Sequence, residues 1–166
     1  YQDLLGGPMS YAQGIDETNL EFKSQVQEWK NVLLRGKDPA ALTKYWEQFE
    51  QQEQKVATEL AELQRQMRAD GQSELASKVQ SLADEHQRLG TAYRQGKQQF
   101  LAAGADPFAG DKAVKGIDRA TSEQLSALVK QLHKDAIEQS ATIAKEASAT
   151  MVTGTLVLLI CALLVT

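Results

Sequence analysis

Apolar positions recur along this chain at helical spacing and become continuous only at its end. Ile15, Phe22 and Trp29 lie seven apart with Val26 and Leu33 beside them, the rhythm of a helix with one apolar stripe. Residues 1–14 (YQDLLGGPMSYAQG) include Gly6, Gly7 and Pro8, so no continuous helix is expected there. Gly36 offers a stop, and Asp38-Pro39 supplies an N-cap and first-turn proline for the next helix. In that second helix Leu42, Phe49, Val56 and Leu63 form one seven-residue series, and Trp46, Glu53, Leu60 and Met67 form another. This is a heptad seam with one charged interruption.

Asp70-Gly71 breaks the seam. A third helix repeats it with Leu75, Leu82 and Leu89 in one series and Val79, His86, Tyr93 and Phe100 in the other. Gly104 closes that helix, and Asp106-Pro107 opens a loop or short turn reaching Gly116. A fourth is expected from Asp118 or Thr121, where Thr121 and Gln124 fit a capping box. Its stripe runs through Leu125, Leu128, Leu132, Ala136, Ile143 and Ala147. Strand-like alternation is absent throughout, so the pattern predicts an all-α chain.

The last charged residues are Lys145 and Glu146; Ala147 to Thr166 carry no charge. About 20 mostly apolar residues suffice for a helix to cross a bilayer core. A buried core helix is the competing reading, but nothing else in the chain is apolar enough to surround such a helix. Residues 147–166 are therefore expected to form a truncated transmembrane helix, and residues 1–146 a soluble body on one face of the membrane. The second and third helices are each about 30 residues, or roughly 45 Å, and the turns between helices are short, which makes neighbours antiparallel. The expectation is an up-down-up-down four-helix bundle whose last helix continues into a transmembrane helix. The turns near Lys37 and at 104–116 then point away from the membrane, and the Asp70-Gly71 turn points towards it. A further span before Tyr1 is expected by symmetry, and the lack of an initial Met suits a fragment.

Composition narrows function mainly by exclusion. The formal charge of −4 falls entirely on the body, against the basic face that general nucleic-acid binding requires. The single cysteine, Cys161, lies in the apolar tail, so the body has neither a disulfide nor a thiolate metal site. No haem attachment, phosphate-binding loop or nucleophile constellation is present. The reading is therefore no catalytic residues, no cofactor and no metal.

Phe22 to Pro39 (FKSQVQEWKNVLLRGKDP) and Val114 to Arg119 (VKGIDR) resemble the extracytoplasmic sensor domain of bacterial methyl-accepting chemotaxis proteins. The resemblance implies a periplasmic bundle between two helices in the inner membrane, working as a homodimer. It implies as ligand a small organic anion or amino acid, or as partner a periplasmic binding protein. A histidine kinase or diguanylate cyclase can carry the same input module, so the output stays open. A membrane-anchored scaffold or SNARE-like fusion protein is the alternative class. It is disfavoured because Lys145 is followed by Glu146 rather than by a basic cluster, and because the second and third helices close a seam within the chain.

Trp29, Lys30, Asn31 and Arg35 fall at the end of the first helix, and Lys115, Arg119 and Thr121 at the start of the fourth. The bundle plan brings these groups together. In chemoreceptors of this plan ligands sit between the first and fourth helices, so Trp29, Lys30, Asn31, Arg35, Arg119 and Thr121 are the candidate ligand-binding residues. A guanidinium suits a carboxylate because it donates two parallel hydrogen bonds. The bland alternative makes Trp29 core, Lys30 a solvated face, and Arg35 a complement to the helix dipole. Glu53 and His86 lie on core stripes at similar height and read either as a metal or pH-sensing pair or, more simply, as a polar layer that fixes register. His133 is expected to face water.

Overall fold

The computed structural model describes the backbone of residues 7–164, and the side chains there except for residues 8, 139, 140, 143, 144 and 146–164. Five helices follow one another: α1 (Pro8–Arg35), α2 (Pro39–Ala69), α3 (Ser73–Ala102), α4 (Pro107–Asp111) and α5 (Ile117–Leu164). No strand occurs among the described residues, as the pattern required.

One helix start and one cap differ from expectation. α1 begins at Pro8, not near Ile15, because proline's fixed φ suits a first helical turn and its missing N–H is not needed there. This early turn buries Tyr11 and Ala12. α5 begins at Ile117, after Gly116 at φ 85°, a conformation that favours glycine. Thr121 therefore lies inside the helix and is 1% exposed, which rules out the expected capping box with Gln124. The Asp-Pro starts hold: the Asp38 side chain accepts from Ala41 N at 2.8 Å, and that of Asp106 from Phe108 N at 3.1 Å.

Side-chain pairs fix how the helices run. Arg35 reaches Tyr45, Glu21 reaches Lys55 and Tyr11 reaches Asp70, so α1 and α2 are antiparallel. Glu53–Arg94 and Gln64–Gln80 show the same for α2 and α3. Asn19 donates to Ser126 Oγ at 3.2 Å across α1 and α5, while Lys78 meets Gln131 across α3 and α5. The turns at Gly36 and Gly104 share one end, where a Cβ on Gly36 would meet Phe100 at 3.2 Å. The Asp70-Gly71 turn lies at the other, tied to Tyr11.

The heptad series form the core, including Phe49, Val56, Leu60 and Met67 from α2 and Val79, Leu89, Tyr93 and Phe100 from α3. α5 adds Leu125, Leu128, Leu132 and Ala136; Ile143 and Ala147 of the expected stripe lie outside the described side chains. Towards the Gly36 end the core is aromatic. Trp29 packs edge-on to Tyr93 (5.4 Å) and Trp46 (6.5 Å), and Phe49 lies between Trp46 and Tyr93 at 4.9 Å from each. Among the described residues no helix is long and apolar enough to cross a membrane. The span expected over 147–166 falls outside the described side chains, although the backbone continues as helix to Leu164.

Candidate functional site

The antiparallel pairing of α1 with α5 sets the last half of α1 against the first turns of α5. A groove of about 510 Å³ opens between them. Lys23, Gln27 and Lys30 line it from α1, Asp118, Arg119, Ser122 and Glu123 from α5, and Gly116 from the turn before it, with Phe22 and Val26 as apolar wall. Lys23 and Lys30 are seven residues apart, hence two turns along one face. The groove thus gathers three cationic and two carboxylate side chains. Among the described residues none of the five forms an ion pair. Asp118 Oδ1 accepts from Arg119 N at 2.9 Å at the start of α5, where free N–H groups and the helix dipole favour negative charge.

The residues singled out from the sequence do not all meet here. Lys30 and Arg119 come together in the groove. Trp29 is 2% exposed and belongs to the aromatic core. Asn31 donates to Glu28 at 3.0 Å, and Arg35 donates to the Tyr45 hydroxyl at 2.6 Å with its guanidinium 5.4 Å from that ring. Thr121 is buried, and its hydroxyl has no partner. Lys115 is exposed. Lys23, Gln27, Ser122 and Glu123 were not singled out. The seven-residue spacing of Lys23 and Lys30 was the available signal, but only the α1–α5 pairing gives it meaning.

Glu53 and His86 are near one another but take other partners. Arg94 grips Glu53 with two hydrogen bonds, at 2.9 and 2.6 Å, and the salt bridge holds the guanidinium charged, above its ordinary value. A Cβ on Gly90 would meet Glu53 Oε1 at 2.1 Å, so glycine there makes room for the fork. His86 lies 2.8 Å from Gln25 Oε1 through Nε2, across α1 and α3. Burial pushes its pKa down, against an opposing pull from Glu53. Among the described residues no group of three or more His, Cys, Asp or Glu is placed to hold a metal ion. His133 is exposed.

Among the described residues Phe108 on α4 is the most exposed large apolar side chain, at 85%, and others form a row on α1. Met9, Leu20 and Leu34 lie nearly whole turns apart on α1 at 55%, 57% and 75% exposure, and Ile137 on α5 is 68% exposed.

The resemblance to chemoreceptors suggested by Phe22–Pro39 and Val114–Arg119 is borne out by comparison with known proteins. The chain is similar to the methyl-accepting chemotaxis protein CtpH of Pseudomonas aeruginosa, with 55% identity over 159 residues. The match covers 96% of this chain and 27% of that protein, so the chain spans about a quarter of the relative's length. No family model matches the chain, and no solved structure matches it.

Proposed function

We propose that residues 1–146 are the extracytoplasmic, ligand-sensing input domain of a transmembrane chemoreceptor. In this reading the body is an up-down-up-down four-helix bundle in the periplasm, and α5 continues through residues 147–166 as an inner-membrane helix. The groove between α1 and α5 takes a small organic anion or amino acid. Lys23, Lys30 and Arg119 hold its carboxylate; Asp118 and Glu123 receive an ammonium group where there is one. The observation that carries this reading is the set of five unpaired charges in one groove, within a chain similar to a chemotaxis protein along nearly its whole length.

The domain works as a homodimer through the α1–α5 side, where Met9, Leu20, Leu34 and Ile137 supply apolar contacts. Ligand binding changes how α1 and α5 sit, and α5 carries the change along its axis as a shift of about 1–2 Å, within the range known for helix interfaces.

The test is a thermal-shift screen of the whole chain in detergent against organic acids, amino acids and inorganic anions. A ligand at about 100 times its dissociation constant adds about 2.7 kcal/mol. Arg119→Ala is expected to abolish the shift, whereas Arg35→Ala, which loses its bond to Tyr45, is expected to keep it. A shift retained in Arg119→Ala and lost in Arg35→Ala would move the site to the Tyr45 side. No shift across the panel would favour recognition of a binding protein instead.

A further inference from the structure

The interface that forms the α1–α5 groove is short of hydrogen bonds. Asn19 and Gln25 on α1 and Thr121 on α5 are 3%, 0% and 1% exposed. Yet Asn19 Oδ1, Gln25 Nε2 and Thr121 Oγ1 have no partner among the described residues, and a buried polar atom left unmet is costly. Two of the three stand level with one another. Asn19 bonds to Ser126 across the antiparallel pair; Gln25 is six residues on from Asn19, and Thr121 five back from Ser126. At a rise of about 1.5 Å per residue, their heights differ by about one residue. Gln25 Oε1 is held by His86 at 2.8 Å, which leaves the amide nitrogen as a donor in want of an acceptor. The Thr121 hydroxyl can accept.

α5 is placed to bring the two together. It packs chiefly on α1 and little on α3, and its side-chain hydrogen bond to α3, Lys78 to Gln131, is 3.5 Å long. The turn that holds Thr121 inwards also carries Asp118, Arg119 and Ser122 into the groove. We propose that Gln25 and Thr121 are positioning residues of the groove: α5 rolls on α1 into a second arrangement in which Gln25 Nε2 donates to Thr121 Oγ1, and Arg119 moves with it relative to Lys23 and Lys30. The unmet pair supplies the incentive, and the weak hold of α3 the freedom. An anion gripped by Arg119 and the lysines of α1 ties the same two helices and favours the bonded arrangement. That last step rests on the groove being an anion site; the bond between Gln25 and Thr121 does not.

The test is methyl relaxation dispersion on the whole chain in detergent micelles, which reads exchange on the μs–ms scale. Leu125, buried four residues on from Thr121, and Val26, on the α1 wall of the groove, are the reporters. Both are expected to exchange at one shared rate. Thr121→Val, close in shape but without the hydroxyl, is expected to abolish that exchange without lowering the unfolding midpoint, because the group it removes is unmet. Thr121→Ser, which keeps the hydroxyl, is expected to keep the exchange. Exchange that survives in Thr121→Val would overturn the proposal, as would a parent chain without exchange, the result for a pair bridged by a fixed water. Should Thr121→Val fail to fold, loss or survival of exchange in Thr121→Ala decides. Those organic acids, amino acids or inorganic anions that raise the parent's melting temperature should raise that of Thr121→Val less and that of Thr121→Ser equally; equal shifts in all three would overturn the coupling to the groove. If no anion shifts the parent, the anion reading of the groove fails, and the exchange measurement alone decides the bond.

Discussion

The two grooves have nearly equal volumes, about 490 Å³ between α2 and α3 and about 510 Å³ between α1 and α5, and both are lined by charges. They differ in what those charges do. In the α2–α3 groove Arg94 closes on Glu53 with both nitrogens, and Glu50 stands 4.0 Å away. In the α1–α5 groove Lys23, Lys30, Arg119, Asp118 and Glu123 share one space without pairing. Charges that satisfy one another fasten helices together, while charges left apart retain their attraction for something else. The α2–α3 groove reads as a seam and the α1–α5 groove as a receptor.

The most severe perturbation empties the aromatic core. Phe49 is fully buried between Trp46 and Tyr93, so Phe49→Ala is expected to cost about 3–5 kcal/mol in chemical unfolding. Both grooves should fail together. Next, a double-mutant cycle on Glu53 and Arg94 should show a coupling of about 1 kcal/mol, within the range for contacting charged residues; no coupling would erase the distinction between seam and receptor. Gly90→Ala, whose methyl group would displace the Glu53 carboxylate, should lose a similar amount, and adding Arg94→Ala should cost little more. The smallest effects belong to the open groove. Lys30→Ala and Glu123→Ala should each stay within about 0.5 kcal/mol of the parent and should add without coupling, while Lys30→Ala weakens the anion-induced thermal shift and Glu123→Ala weakens only that of a ligand with an ammonium group. A strong coupling between these two would show that the groove's charges do pair in solution.

Seven-residue series exposed the core before any coordinates did. Phe49, Val56, Leu60, Tyr93 and Phe100 were all marked by local periodicity, and all are buried. The polar residues of α1 were harder. Thr18, Asn19 and Gln25 are buried, yet polar side chains on a helix ordinarily read as surface; Ser126 and His86, the partners of Asn19 and Gln25, lie far along the chain. The groove was half legible for the same reason. Lys30 and Arg119 followed from the plan of the bundle. Arg35 had equal claim until its nearest acceptor proved to be Tyr45 on α2. Rotation of a helix about its axis, which a plan of ups and downs leaves free, separates these cases.

The aromatic cluster also makes the molecule its own optical instrument. Trp29 and Trp46, the two tryptophans of the chain, sit 6.5 Å apart, with the Lys97 ammonium 4.0 Å over the Trp46 ring. Tryptophan emission therefore comes wholly from one end of the body, a turn of helix from Gln25 and beside the lysine at position 30. Light emitted on adding an anion would report events near the two grooves, undiluted by signal from the far end of α5.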